Sequence, residues 1–585
     1  MCYFCPAKKS EFLSRLQPIY DIAEICAQHG IANVVLCPGS RCAPLTLAFT
    51  SHAKITCRTM SDERSAAFVA LGMAQQTRLP TALVCTSGSA AYNFAPAVAE
   101  AFFQHIPLLV FTADRPSEWI DQWDGQTIRQ QNIFGLHVKA AFQLPEDYAH
   151  PDAVWHIHRT ANEAISLTQR FPAGPVHVNV PLREPLYPAK GEKITFGAVR
   201  VVHNQEAALH LTERTQAALM QRLQQYSKVM VMAGQQDHQP GLVKVVEKFC
   251  KAHQATLVGD IISNFHGSES TIRHADVFLA QCGDSIQKSL SPELLITFGK
   301  SIISKNTKLF LRNHKSIEHW HVLPTGEVPD TFQSLTSVVC CEPKSFFESL
   351  SHQKNEGFLA QKKENYTRLW QAEEDRMQRS SAGYFDGSFN EFQVIKQVMD
   401  ALPTRCNLHL ANSMAVRYAN MIGLSVQQKG AHVFANRGTS GIDGCTSTTV
   451  GHALTSDIPN ILITGDLAFF YDRNAFWHNY AVPHLRVVLV NNHGGIIFNM
   501  IDGPANLEQS AEYFVTHQKL TATHMAQEFG IEHIALDSPK KTKNSLKDFF
   551  EFDGKTKILE VTSNQTIAKE AFNQYKSIIK KGYAT

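Results

Sequence analysis

The sequence has no long apolar run. Stretches such as Val34–Cys37 and Ile461–Thr464 have strand length, far short of the ~18 residues that cross a bilayer. It also has no excess of charge: 55 lysines and arginines face 53 aspartates and glutamates, for a formal net charge of +2. No basic field points to nucleic acid. Met1–Ser10 lacks the apolar core of an export signal, and a cytoplasmic protein is expected. A Walker A loop, a G-x-G-x-x-G behind a strand and an H-E-x-x-H are all missing, which removes the commonest nucleotide and zinc signatures. Thirteen cysteines run from Cys2 to Cys445, and an odd number without an export signal predicts reduced thiols. Cys2 and Cys5 form one C-x-x-C with no second pair nearby, so a structural role is favoured over a metal or redox one.

What is present is a long chain, 585 residues with 44% apolar and 18% charged side chains. That is too long for one core and predicts about three or four domains. Short β-rich runs alternate with helical-period segments, the pattern of parallel α/β architecture. Strands are predicted at Asn33–Cys37, Ala82–Thr86, Leu108–Thr112 and Pro175–Val180, with helices over Asp62–Gln76 and Ser89–Gln104. The pattern restarts near residue 200, with strands at Lys228–Ala233, Ala255–Val258 and Leu294–Phe298. A polar segment, Ser351–Ser381, reads as a connecting helix. Strands return at Cys406–Leu410, His432–Ala435, Asn460–Thr464, Arg486–Asn491 and Lys557–Val561. The expected fold class is α/β, three doubly wound parallel-sheet domains. The expected boundaries are 1–190, 200–350, a linker at 351–385, and 386–585.

One pair of strand ends carries specific chemistry. The strand at Asn460–Thr464 runs into Gly465-Asp466, and the next ends in Asn491-Asn492-His493-Gly494-Gly495. In a right-handed βαβ unit both carboxyl ends emerge on one edge of the sheet, so Asp466 and Asn492 can converge. A carboxylate, an amide oxygen and a backbone carbonyl form a hard, incomplete oxygen site, of the kind Mg²⁺ completes with water and phosphate oxygens. Gly494 and Gly495 allow close backbone approach. Either half alone reads as a turn and helix cap; together they favour the metal. His493, inside the loop, reads as structural.

The pair resembles the G-D-x…N-N signature of thiamine-diphosphate enzymes, in which Mg²⁺ or Mn²⁺ anchors the cofactor's diphosphate. The resemblance implies a pyrimidine-binding domain, a central domain and a diphosphate-binding domain, matching the three units. It implies metal ligation by Asp466, Asn492 and Gly494, and cofactor contacts from Gly465, Leu467, Ile497 and Phe498. Ile442 takes the place of the apolar wedge that bends the cofactor into a V; a core isoleucine is the alternative, and the two are compatible. Glu63, in Ser61-Asp62-Glu63-Arg64-Ser65, takes the place of the glutamate that hydrogen-bonds the aminopyrimidine ring and activates the cofactor. By itself it would be an acidic residue at a helix N-terminus. The family places this glutamate on one subunit and the diphosphate on the neighbour, so a homodimer, or a tetramer built of two such dimers, is implied.

Further motifs narrow the resemblance to one branch of that family. They are Cys37-Pro38-Gly39-Ser40-Arg41, Thr112-Ala113-Asp114-Arg115-Pro116, Gly174–Leu186, Asn412–Arg417 and Asn436–Gly444. The branch consists of carboligases of menaquinone biosynthesis, which decarboxylate 2-oxoglutarate and add the resulting four-carbon unit to isochorismate. Substrate contacts are then implied for Ser40, Arg41, Arg115, Gln126, Lys305, Ser413, Arg417 and Arg437. The residue types suit the substrates: both are dicarboxylates, three carboxylates remain after one leaves as CO₂, and arginine suits planar bidentate recognition of them. Each arginine would otherwise read as a surface ion pair. Ile496 and Gly125 depart from residues some relatives carry. The rival readings are an acetolactate-synthase-like 2-oxoacid decarboxylase, whose less anionic substrates need no such arginine set, and a non-catalytic scaffold on the same fold.

Overall fold

The computed structural model describes residues 15–205, 209–326, 328–351, 358–386, 389–500 and 503–583. Cys2 and Cys5 lie outside the described residues. The chain forms three six-stranded sheets, and every strand pairing is parallel. The first contains β1 (Asn33–Leu36), β2 (Thr56–Thr59), β3 (Thr81–Cys85), β4 (Leu108–Asp114), β5 (Ala141–Gln143) and β6 (Val176–Pro181). The second contains β7 (Val229–Ala233), β8 (Thr256–Gly259), β9 (Thr271–Ile272), β10 (Leu294–Phe298), β11 (Glu318–Leu323) and β12 (Ser337–Cys340). The third contains β13 (Arg405–Leu410), β14 (Gly430–Phe434), β15 (Asn460–Gly465), β16 (Leu485–Asn491), β17 (Glu532–Leu536) and β18 (Lys557–Thr562).

The first and third sheets are wound alike, in the orders β2-β1-β3-β4-β6-β5 and β14-β13-β15-β16-β18-β17. The second, β12-β11-β10-β7-β8-β9, has the 3-2-1-4-5-6 order of a dinucleotide-binding fold. Helices cover both faces of such sheets, so central strands are apolar throughout. Accordingly β3, β4, β7 and β10 are buried at every residue.

Tight packing fixes these layers. Phe49 and Phe111 meet at 5.9 Å on the first sheet, and Phe347 contacts Phe249 at 5.0 Å and Phe298 at 5.2 Å on the second. Each such buried side chain contributes roughly 1.5–3 kcal/mol. Arg486, fully buried on β16, donates to the carbonyls of Phe549 (2.6 Å), Lys555 (2.7 Å) and Pro483 (3.0 Å). Burial pulls its pKa down to about 10, against the opposing charges of Asp553 and Glu532.

The sequence-predicted helix over Ser89–Gln104 is two helices, Ser89–Asn93 and Ala95–Gln104, because Pro96 cannot continue the ladder of the first. The polar segment after residue 351 is helical over Phe358–Ser381. It does more than connect, since the Tyr366 hydroxyl and Trp370 indole N–H both reach the Leu290 carbonyl, at 3.0 and 3.1 Å. All the described cysteines are free, and no described helix is long and apolar enough to cross a membrane.

The chain divides into two compact units. The first carries the first sheet and ends at Gln205, with Asn474–Asn479 added; the second holds the other two sheets.

Candidate active site

In the second unit, β15 and β16 are neighbours with Gly465 opposite Val490, so their carboxyl ends lie side by side. Asp466 begins the helix Asp466–Tyr471 directly after β15. It is buried, and its carboxylate accepts from the Leu467 N–H at 2.8 Å and from Gln518 Nε2 at 2.6 Å. Burial raises its pKa, and these hydrogen bonds and His493 oppose the rise. Gln518 also donates to Asn491 Oδ1 at 3.1 Å, which ties the two strand ends together.

Asn492 donates from Nδ2 to Glu391 Oε2 at 3.0 Å, and its carbonyl accepts from Gln565 Nε2 at 3.0 Å. A carboxylate only accepts here, so it takes the amide N–H and turns Oδ1 the other way. That Oδ1 is buried without a hydrogen-bond partner among the described residues, an arrangement that normally costs ~1–3 kcal/mol. A divalent cation would satisfy it. No group of three or more His, Cys, Asp or Glu side chains is placed to hold a metal among the described residues. The set here is instead one carboxylate, one amide oxygen and the glycine loop, which suits a hard cation whose remaining ligands are phosphate and water oxygens.

The glycine loop leaves no room for side chains. A Cβ on Gly494 would lie 2.9 Å from the Val515 carbonyl oxygen, and one on Gly495 would meet Phe498 at 3.3 Å and Leu467 at 3.4 Å. Leu467, Ile497 and Phe498 are half-buried around it. Ile496 is buried and belongs to the core. Ile442 follows Ser440, whose φ is 63°, and keeps 38% of its surface exposed, an apolar side chain without an apolar cover.

Cations gather at the other tips of this unit. Arg417 lies on the helix Met414–Ile422 after β13 and donates to the Ser413 carbonyl at 2.6 Å. Arg437, after β14, donates to Asn412 Oδ1 at 2.8 Å. Asn412 in turn holds the Asn436 and Gly441 carbonyls, at 2.7 and 2.6 Å. Burial, then the charge of Arg437, lowers the pKa of Arg417. Lys308 is lowered by the same two causes in the same order. Lys305 is the exposed first residue of the helix Lys305–Asn313. Neither Lys305 nor Arg417 forms an ion pair among the described residues. Ser413 has φ 71° and ψ −130°, a conformation a non-glycine residue adopts only under constraint.

The first unit carries the remaining residues. Glu63 opens the helix Glu63–Thr77, which Asp62 caps by accepting from Ser65 N at 3.1 Å. Glu63 is half-buried and makes no side-chain hydrogen bond or ion pair among the described residues. Arg41 is buried, donates to the Leu182 carbonyl at 2.8 Å and pairs with Glu184 at 3.4 Å. Burial and then the charge of Arg115 lower its pKa. Arg115 pairs with Asp124 at 3.3 Å and donates to the Gly125 carbonyl at 3.1 Å. Ser40 is exposed beside Arg41, and Gln126, with φ 56°, packs its backbone over Gly88. A Cβ on Gly125 meets nothing within 4 Å, so the departure at that position is no steric bar. The structure thus brings together Ser40, Arg41, Arg115 and Gln126 in one unit. In the other it gathers Asp466, Asn492, Gly494, Leu467, Ile497 and Phe498, with Ser413, Arg417 and Arg437 at neighbouring tips of the same sheet.

These parallel sheets and the oxygen site between two strand ends define a thiamine pyrophosphate enzyme. The profile of the thiamine pyrophosphate enzyme N-terminal TPP binding domain matches residues 20–134, and that of the class's middle domain matches residues 201–410. The class works with thiamine diphosphate and a divalent metal such as Mg²⁺, and the residues present fit both. A 2-succinyl-5-enolpyruvyl-6-hydroxy-3-cyclohexene-1-carboxylate synthase of Cytophaga hutchinsonii is 44% identical over 97% of this chain and 100% of its own length. Enzymes of the same name from Bacteroides fragilis and Flavobacterium johnsoniae are each 37% identical, over 96% and 95% of this chain and 99% and 98% of their own. The chain belongs to this synthase family.

Glu391, Gln518, Gln565 and Asn412 complete the site, and the first three do not stand out in the sequence. The first three act on residues 101, 52 and 73 positions away, and no local spacing announces such contacts. Asn412 had a signal, its place in the Asn412–Arg417 motif.

Proposed function

We propose that the chain decarboxylates 2-oxoglutarate and adds the resulting four-carbon unit to isochorismate, forming 2-succinyl-5-enolpyruvyl-6-hydroxy-3-cyclohexene-1-carboxylate and CO₂ in menaquinone biosynthesis. The observation that carries this reading is Arg417, a half-buried arginine with no ion pair among the described residues, whose pKa burial and then the charge of Arg437 lower, at the tips of the sheet that holds Asp466 and Asn492. Two desolvated like charges repel one another unless an anion lies between them, and the substrates supply three carboxylates after CO₂ departs.

Bound thiamine diphosphate supplies the electron sink for decarboxylation and the carbon nucleophile for the addition. Asp466, Asn492 Oδ1 and the Gly494 carbonyl hold the divalent metal, Mg²⁺ or Mn²⁺, that anchors its diphosphate. Gly465, Leu467, Ile497 and Phe498 line the cofactor, and Ile442 supports it from below. Glu63 hydrogen-bonds the aminopyrimidine ring and sets its protonation. Ser40, Arg41, Arg115 and Gln126, with Lys305, Ser413, Arg417 and Arg437, orient the carboxylates. The first sheet serves as the pyrimidine-binding domain, the second as the central domain and the third as the diphosphate-binding domain. The active form is a cytoplasmic homodimer in which Glu63 of one subunit serves the diphosphate site of the other.

The test is turnover of 2-oxoglutarate with and without isochorismate, in the presence of thiamine diphosphate and Mg²⁺. Consumption of both substrates with release of CO₂ is expected. Consumption of pyruvate with isochorismate ignored would overturn the assignment in favour of a simpler decarboxylase. No metal-dependent cofactor binding by calorimetry would leave a scaffold.

A further inference from the structure

We infer that Asp260, at the tip of β8, is a positioning residue that fixes the turn carrying Lys305 and, through Ser304 and Asn420, the helix carrying Arg417. The inference rests on the assignment of Lys305 and Arg417 to the substrate site.

The geometry is a buried ladder. Asp260 is buried. Its Oδ2 accepts the backbone N–H of Ile303 and of Ser304, the latter at 3.1 Å, and its Oδ1 accepts the Ser304 hydroxyl. Three donors immediately before Lys305 therefore converge on one carboxylate. On the other side of Lys305, the Asn306 N–H reaches Asp276 Oδ1 at 2.7 Å, and Asn306 Nδ2 reaches the Asp276 carbonyl at 3.1 Å. Lys305 stands between two tethered neighbours while its own side chain is exposed.

The ladder continues to the third sheet. Asn420 lies one turn beyond Arg417 on the helix Met414–Ile422. Its Oδ1 accepts from the Ile261 N–H at 2.9 Å, and its Nδ2 donates to Ser304 Oγ at 3.5 Å. The residue after Asp260 and the serine that Asp260 holds are thus both fastened to the arginine helix. Two cations from different sheets are placed relative to one another by one buried group and its partners.

A turn clamp alone does not need a carboxylate. Burying one is costly, and Asp260 forms no ion pair among the described residues; its hydrogen bonds and, more weakly, the charge of Lys308 offset that cost. A serine or asparagine would cap the same turn at less expense. Three charge-assisted hydrogen bonds, by contrast, hold a turn more stiffly than neutral ones, which is what a lysine that must meet a carboxylate at fixed distance requires.

The experiment is a double-mutant cycle on the holoenzyme, with KM read separately for 2-oxoglutarate and isochorismate. Lys305→Ala identifies the substrate that Lys305 contacts. Asp260→Asn, which turns an acceptor into a donor against two N–H groups, should raise that substrate's KM by about tenfold and change kcat by less than about twofold. In the Lys305→Ala background the same change should add less than about twofold, because the direct route through Lys305 is gone and only the longer one through Ser304 and Asn420 to the Arg417 helix remains. Should Asp260→Asn fail to fold, Ser304→Ala decides, with an expected threefold or so rise in the same KM. Additive effects, or a KM that neither variant moves, would overturn the positioning role in an enzyme whose site reading stands. If Lys305→Ala leaves both KM values unchanged, or the wild type turns over neither substrate, the site reading falls and the positioning role falls with it.

Discussion

Glu391 sets the orientation on which the metal site depends. Because its Oε2 takes Asn492 Nδ2 and its Oε1 takes the Tyr418 hydroxyl at 2.9 Å, the Asn492 amide cannot turn over. Glu391→Gln presents Asn492 with an amide that can pair either way round. It should weaken Mg²⁺ affinity by about 10–100-fold, read as the Mg²⁺ concentration needed for thiamine diphosphate to raise the melting temperature. Asp466→Ala should abolish that metal-dependent rise altogether, and Glu63→Gln should preserve it while losing turnover. Ser413 offers a different test. Its conformation stores ~1–3 kcal/mol of strain that glycine releases, less glycine's own entropy cost of up to ~1 kcal/mol. Ser413→Gly should therefore stabilise the protein by about 1 kcal/mol in urea unfolding and raise KM, because the strained turn aims both the serine and Arg417. At this scale the sequence motifs point to the residues proposed to face ligands. They were silent on Glu391, Gln518 and Asp260, whose partners lie far along the chain and whose residue types are ordinary for a turn or a helix start.

Among the secondary-structure elements, the predicted strands are mostly central ones. Leu294–Phe298 is a strand over the predicted span, and Asn460–Thr464 extends by one residue. The strands without a sequence signal are mainly at sheet edges: β2 (TCRT), β5 (AFQ), β9 (TI), β12 (SVVC) and β17 (EHIAL). These edge strands are short and, β9 apart, only partly covered, so they lack the apolar run that marks a strand buried on both faces. β11 is missed for another reason: His319 and His321 interrupt its pattern while both contact Thr297 Oγ1 at 2.8 Å inside the sheet. β6 shows what such a histidine costs. Thr112 gives its hydroxyl proton to Asn179, so His177 Nε2 donates to Thr112 at 2.7 Å, and Nδ1 stays bare and buried. Desolvation holds the His177 pKa down to about 4. The unfolded chain, with an ordinary value near 6.5, therefore binds a proton that the folded one refuses between pH 6.5 and 4. Stability contributed by neutral His177 is complete above that window and falls as pH drops through it. His177→Gln should flatten the pH dependence of unfolding free energy there by about 1.4 kcal/mol per pH unit relative to wild type.

For the whole molecule, the proposal of shared sites has a direct test in mixed subunits. Glu63→Gln and Asp466→Ala chains should each be inactive alone. Unfolded together and refolded in equal amounts, half the dimers pair unlike chains and hold one intact site each, so about a quarter of wild-type activity should return. No recovery would place both residues of a working site on the same chain.

The shared winding of the first and third sheets gives their strand tips a one-to-one correspondence. The tip after β1 carries Ser40 and Arg41, and the equivalent tip after β13 carries Ser413 and Arg417. The tip after β4 carries Arg115, where its counterpart after β16 carries Asn491 and Asn492. The tip after β2 leads to Glu63, and that after β14 to Arg437. Equal winding with unequal tips means that the two sheets present different side chains at the same places. Where one sheet offers a cation at a strand tip its counterpart offers an amide, and where one leads to an acid the other leads to a cation, so these two pairs of tips are chemical complements and not repeats.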